Sequence, residues 1–147
     1  SHIGLLQGLA PKYGVKVITK GISAASDMAM ACDTILSKVD CMLNLTDNMV
    51  VSNMPILLEK AKERKIPVIG SEEEQVKKGC LASEGLDYFS LGIETGKMAA
   101  KILNGESAAQ IPVGTVKDSS LFVNKAVLQD LGLTLPKELA KRAAFVK

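Results

Sequence analysis

Three short runs of β-branched and aliphatic residues, 15–19 (VKVIT), 39–45 (VDCMLNL) and 66–69 (IPVI), start 24 and then 27 residues apart, with apolar residues at helical spacing between them. This spacing constrains the fold more than any other feature. A strand buried on both faces reads as a near-continuous apolar run, and returning to the same end of a parallel sheet takes a crossover of a dozen or more residues. Residues 26–38 and 49–65 supply crossovers of that length. The repeat predicts an α/β fold, a three-layer arrangement with a parallel sheet and helices on both faces. With 147 residues, 47% of them hydrophobic, the chain has one domain's worth of material for the core such a sheet needs.

Ser26 is placed to cap the first crossover helix ahead of Asp27, and Ala29, Cys32, Ile35 and Leu36 form its apolar stripe. In the second crossover Pro55 removes a helical hydrogen bond, at about 3 kcal/mol in a helix interior, which predicts a break near Asn53. Ile56, Leu57, Leu58 and Ala61 are the expected buried face beyond that break. After Gly79 a short apolar stretch at 80–82 leads through Ser83, Glu84 and Gly85 to a helix over about 90–103, closed by Asn104 and Gly105. Further strands are expected at 111–116 and 121–123, a helix at 125–131, and another starting at Pro136.

Several function classes lose their chemistry here. The aromatic residues are only Tyr13, Tyr88, Phe89, Phe122 and Phe145, and the net charge is +2, so neither stacking platforms nor a basic patch for nucleic acid is available. No apolar run approaches the roughly 18–20 residues that cross a bilayer. Cys32, Cys41 and Cys80 lack CxxC spacing, which argues against zinc and against a disulfide framework, and each reads as a small buried apolar residue. The single histidine, His2, stands at the chain start, leaving no Ser-His or Cys-His nucleophile pair. Neither GxGxxG after a strand nor GxxxxGK[ST] occurs, so no nucleotide cofactor is expected.

Ligands of open parallel sheets bind beyond the carboxyl ends of the strands. Those ends carry Thr46, Asp47 and Asn48, then Ser71 and Glu72, and finally Glu84 beside Gly85. Two carboxylates with hydroxyl and amide neighbours on one rim suit an ammonium group on a polar small molecule. The same residue types also cap helices, and for Thr46, Asp47, Asn48 and Ser71 spacing alone favours capping; Glu72 opens the acidic run 72–74, which suits a helix start, and Glu84 suits a turn. A rival reading is a receiver-like or phosphatase-like domain using Asp47 and Mg²⁺, which two carboxylates without a third partner support weakly.

The strings KVD at 38–40, NLTDN at 44–48 followed by VVS at 50–52, and KIPVIGSE at 65–72 resemble the periplasmic-binding-protein-like substrate-binding proteins of ABC transporters. The most similar subgroup is associated with tryptophan and other aromatic amino acids. The match continues through GLDY at 85–88, LG at 91–92, TGKMAAKILNGE at 95–106, IPV at 111–113, VN at 123–124 and LGL at 131–133, covering most of the chain from Gly14 onward.

The resemblance implies a non-catalytic, two-lobed receptor that closes on an amino-acid-like solute and delivers it to a membrane permease from outside the cytoplasm, as a periplasmic or lipid-anchored protein. It implies that this chain is the second lobe with the C-terminal crossovers, lacking the first lobe and the second lobe's first strand. Such a chain alone is expected to self-associate or pair with its missing half, because runs 15–19 and 39–45 would have unpaired edges. It also implies that Thr46, Asp47, Asn48, Ser71 and Glu72 face the interlobe cleft. Glu72 stands where many relatives carry Asp, and Glu84 where an aromatic residue is common.

Overall fold

The computed structural model describes residues 2–114 and 119–146, which form two compact units: Ser1–Met42 with Asp47–Pro67, and Leu43–Thr46 with Val68–Lys147.

The first unit is helical. Helix α1 (His2–Leu9) runs into a 3₁₀ turn, Ala10–Tyr13, ended by Gly14 in the left-handed region at φ +65°, where glycine meets no Cβ penalty. Residues 15–20 follow as irregular chain, so the expected strand at 15–19 is absent. The Val15 amide donates to the Ala10 carbonyl and closes the preceding turn, and Val15 and Ile18 are exposed. A β-branched run becomes a strand only where a neighbour supplies ladder partners.

A second 3₁₀ turn, Ala25–Asp27, leads into α2 (Met28–Leu36). Ser26 lies inside that turn and is not its cap. The Asp27 carboxylate takes that job, accepting from the Ser23 and Ala24 amides at 3.0 Å each. The buried stripe of α2 is Met28, Ala31, Cys32, Ile35 and Leu36, while Ala29 is exposed. The second crossover is two helices, α3 (Asn48–Ser52) and α4 (Met54–Glu63), divided at Asn53 as expected, with Pro55 in the first turn of α4, where its missing N–H costs nothing. Helices α2 and α4 pack together, α4 contributing the buried Met54, Leu57 and Ala61. Asp33 on α2 receives Lys60 Nζ from α4 at 2.8 Å and Nη2 of Arg64, the residue that ends α4, at 3.1 Å.

The second unit carries the sheet except for Met42, the first residue of its first strand. Strand β1 (Met42–Leu43) is shorter than the run at 39–45 that contains it; β2 (Val68–Gly70), β3 (Ala82–Gly85), β4 (Ser120–Asn124) and β5 (Ala143–Val146) follow. The spatial order is β1-β2-β3-β4-β5. β2 and β3 are parallel with Gly70 opposite Ser83, β4 and β5 are parallel, and the β3–β4 step is antiparallel with Glu84 opposite Leu121. The sheet is thus mostly parallel with one reversal, and β5 is an element the sequence reading did not contain. Helices α5 (Glu73–Lys78), α6 (Tyr88–Leu103), α7 (Lys125–Asp130) and α8 (Lys137–Arg142) complete the unit. Pro136 is the residue before α8, not its first turn. Residues 111–114 form no strand, and Thr115 and Val116 of the expected strand lie outside the described residues.

Val68, Val76, Cys80, Leu81, Leu121, Phe122 and Val123 form the core of this unit. α5 packs on β2, β3 and β4, held by Asn124, whose Nδ2 donates to the Val76 carbonyl at 3.0 Å while its Oδ1 caps α7 through the Val127 amide. α6 is different: it buries none of its residues and exposes Tyr88, Phe89, Ile93, Ile102 and Leu103. Among the described residues no helix is long and apolar enough to cross a membrane. None of the three cysteines is disulfide-bonded, and Cys32 and Cys80 are buried, but Cys41 is exposed, which corrects the expectation that all three are core residues. Burial, aided by the charge of Glu72, pushes the Cys80 thiol up to about 11.

Candidate functional site

Residues Thr46 and Ser71 come together at the ends of neighbouring strands. Asn44, just past β1, donates its amide to the Ile69 carbonyl of β2 at 2.8 Å, and this pairing carries the chain to Thr46 alongside Ser71. Thr46 Oγ1 and Ser71 Oγ are 2.9 Å apart.

Behind them lies Gln75 on α5, fully buried at 0% exposure. Its Oε1 accepts from Asn44 Nδ2 at 3.0 Å and from the Ser71 backbone amide at 3.1 Å, and its Nε2 donates to Ser71 Oγ at 2.9 Å. Buried amides need such partners, and here one side chain satisfies the polar atoms of two strand ends. Gly70 makes room for it, since a Cβ at that position would lie 2.9 Å from both Gln75 Cβ and Gln75 Oε1. Gly85 of β3 is equally constrained, because a Cβ there would meet the Ser71 carbonyl oxygen at 2.7 Å. The Ser71–Glu72 corner is therefore seated directly on the backbone of β3.

The carboxylates differ in what they do. Asp47, in the helical unit, caps α3: its Oδ1 accepts from the Val50 amide at 3.0 Å, and Asn48 is the first residue of that helix, exposed. Glu72 stands at the cap position of α5 but makes no side-chain capping bond, and it is half-buried. Glu84 is already paired. It sits in β3, where Arg142 Nη1 from the end of α8 donates to its Oε1 at 2.7 Å and the Ser119 hydroxyl donates to the same atom at 2.5 Å. The Arg142 and Ser119 hydrogen bonds hold its carboxyl below the ordinary glutamate value of 4.5.

That shift fixes a pH dependence. A carboxyl with a lowered folded value stabilises the fold above its unfolded value and loses the contribution as pH falls through the folded one. Both partners are substantially exposed, so the pair contributes at most about 1 kcal/mol. Glu84→Gln is expected to lower stability slightly at neutral pH and to flatten its decline below pH 4.5, measured by urea midpoints from pH 3 to 7. Curves of the variant and the parent that stay parallel through the acid range would contradict the assignment.

Over residues 1–147 the sequence matches the family described as ABC transporter substrate binding protein. The chain belongs to that family. The chain is 39% identical over 146 residues to a tyrosine-binding protein of Clostridioides difficile, covering 99% of this chain and 42% of the relative. Among solved structures, it is similar to the ligand-free, open form of a substrate binding protein with adhesive properties from Clostridium difficile: 41% identity, TM-score 0.78, 99% of this chain and 48% of that one. It is also similar to the ABC domain in complex with L-Trp from Streptococcus pneumonia: 30% identity, TM-score 0.88, 99% and 50% coverage. The chain spans less than half the length of the curated relative.

Family membership overturns the receiver-like or phosphatase-like alternative built on Asp47 and Mg²⁺. The sequence reading named Thr46, Ser71 and Glu72 but missed Asn44 and Gln75, whose hydrogen-bond network fixes Ser71. A signal was present: Asn44 interrupts an apolar strand, and a buried amide there demands a partner. Nothing in the sequence pointed to the pairing of Glu84 with Arg142, 58 residues away.

Proposed function

We propose that this chain is the second lobe, with the C-terminal crossover segments, of a receptor that binds an amino acid between two lobes and hands it to an ABC permease outside the cytoplasm, without catalysis. The match of the whole chain to the substrate-binding family carries this reading. Relatives described as tyrosine-binding and as holding L-Trp support an aromatic amino acid as the solute. The rim supports it chemically: Thr46 and Ser71 offer hydroxyls, and Asp47 and Glu72, the next residues in the chain, offer carboxylates for an ammonium. Asn48, which follows Asp47 in the chain, offers an amide. Glu84 is engaged by Arg142 and serves the sheet more than the solute.

The exposed apolar residues of α6 support the division into lobes, since an amphipathic helix that buries nothing needs another surface. The first lobe would cover it in the complete receptor, and pairing between copies would cover it in the 147-residue chain alone. The strand-edge reason for pairing does not hold at residues 15–19, which form no strand.

Calorimetric titration of the complete receptor with L-tyrosine and L-tryptophan tests the reading. Binding in the micromolar range or tighter is expected, and Asp47→Ala and Glu72→Ala are each expected to weaken it by about tenfold or more with the fold retained. The 147-residue chain alone, holding half a cleft, is expected to bind no tighter than about millimolar. A complete receptor that binds no amino acid would sink the proposal, and unchanged affinity in both variants would return Asp47 and Glu72 to helix-start roles.

A further inference from the structure

The hydrogen-bond polarity at Thr46 and Ser71 is determined from within the protein. A backbone N–H can only donate, so the Ser71 amide forces Gln75 to turn Oε1 toward it, and Asn44 Nδ2 donates to that same oxygen. Gln75 Nε2 must then face Ser71 Oγ as a donor, which makes that hydroxyl oxygen an acceptor on its inner side. One proton lies between the two hydroxyls. If Ser71 donates it to Thr46, the Thr46 proton is left over; if Thr46 donates, the Ser71 oxygen has accepted twice and its own proton is left over. Either way one O–H remains to be donated from the rim.

We infer that Gln75 is a positioning residue that makes the Thr46–Ser71 pair a hydrogen-bond donor, and that this pair receives the carboxylate of the solute while Glu72, next to Ser71 in the chain, receives its ammonium. The assignment rests on the amino-acid reading above. It is chemically required in one respect: a carboxylate brought beside Glu72 needs a donor to hold it, and the hydroxyl pair supplies one without adding a charge. Gln75 is buried and its hydrogen bonds lead to Thr46 by way of Ser71, so its influence on the solute passes through the orientation of the two hydroxyls.

The test uses the complete receptor with L-tryptophan and tryptamine, which differ by the carboxylate. Gln75→Glu keeps the shape and still accepts from Asn44 and the Ser71 amide, but its second oxygen takes the Ser71 proton; Thr46 must then donate to Ser71, and no proton is left for the rim. The preference for L-tryptophan over tryptamine is expected to fall by roughly tenfold to a hundredfold, the size of one hydrogen bond to a charged group. Thr46→Val or Ser71→Ala singly leaves one hydroxyl and its proton, so each should change the preference by less than about threefold, whereas the double variant should match Gln75→Glu. This hydroxyl series decides the matter even if Gln75→Glu proves unstable in a thermal melt. A preference that survives the double variant overturns the inference, as do single variants that each lose as much as the double, while the receptor's binding of L-tryptophan stands. If the unmodified receptor binds no amino acid, the functional reading fails and takes this assignment with it.

Discussion

Replacing Gln75 with Leu is expected to destabilise the protein by about 2–4 kcal/mol, although the new side chain is apolar and of similar size. The loss comes from what is left behind. Asn44 Nδ2 and the Ser71 amide both donate to Gln75 Oε1, and each buried donor deprived of its acceptor costs about 1–3 kcal/mol. Hydrophobic gain at the site offsets part of this, since Gln75 is fully buried. Urea unfolding should show a lower midpoint at an unchanged slope. The double variant Asn44→Leu with Gln75→Leu removes one orphaned donor along with its acceptor and should be more stable than Gln75→Leu alone. A single variant within about 0.5 kcal/mol of the parent would mean that the network contributes nothing to the fold.

Gly85→Ala is expected to cost about 2 kcal/mol and to displace the Ser71–Glu72 corner from β3. The added methyl would lie 2.7 Å from the Ser71 carbonyl oxygen and 3.3 Å from Glu72 Cα, both backbone atoms that move only with the whole corner. The glycine is required by space. Gly92 on α6 provides the contrast, because a Cβ there meets nothing within 4 Å and the helix interior gains about 0.5–1 kcal/mol from losing a glycine. Gly92→Ala should therefore stabilise slightly where Gly85→Ala destabilises, and thermal melts of the two variants compare them directly. Gly85→Ala at parental stability would show that the corner is free to move, and the rim would then lack the rigid seat described above.

The two variants act on one assembly. Gly70 and Gly85 leave the volume in which Gln75 and the Ser71 corner sit, Gln75 satisfies both strand ends, and Thr46 and Ser71 emerge with their hydroxyls paired. The candidate site is thus a surface continuation of a buried network, and its stability and its hydrogen-bonding polarity share the same residues.

What the sequence determined by itself was local or periodic. The division of the second crossover at Asn53 follows from Pro55, which cannot donate within a helix, and α7 and the end of α6 follow from cap and glycine chemistry at Asn124 and Gly105. Runs 39–45 and 66–69 contain β1 and most of β2 because apolar runs of that kind need a buried sheet. The order of motifs along the chain carried the family. Tertiary structure decided what depends on partners distant in sequence. Residues 15–19 have the composition of a strand and lack a ladder; residues 143–146 become β5 because β4 offers its edge, with Phe122 opposite Ala144. Glu84 is drawn into an ion pair by Arg142 from the far end of the unit. Gln75, unremarkable between two charged stretches, becomes the centre of the rim network because the helix start at Glu73 turns it inward onto Asn44 and Ser71. Capping and periodicity are settled within a few residues, whereas a hydrogen bond between residues 31 positions apart exists only once the strands have set their register.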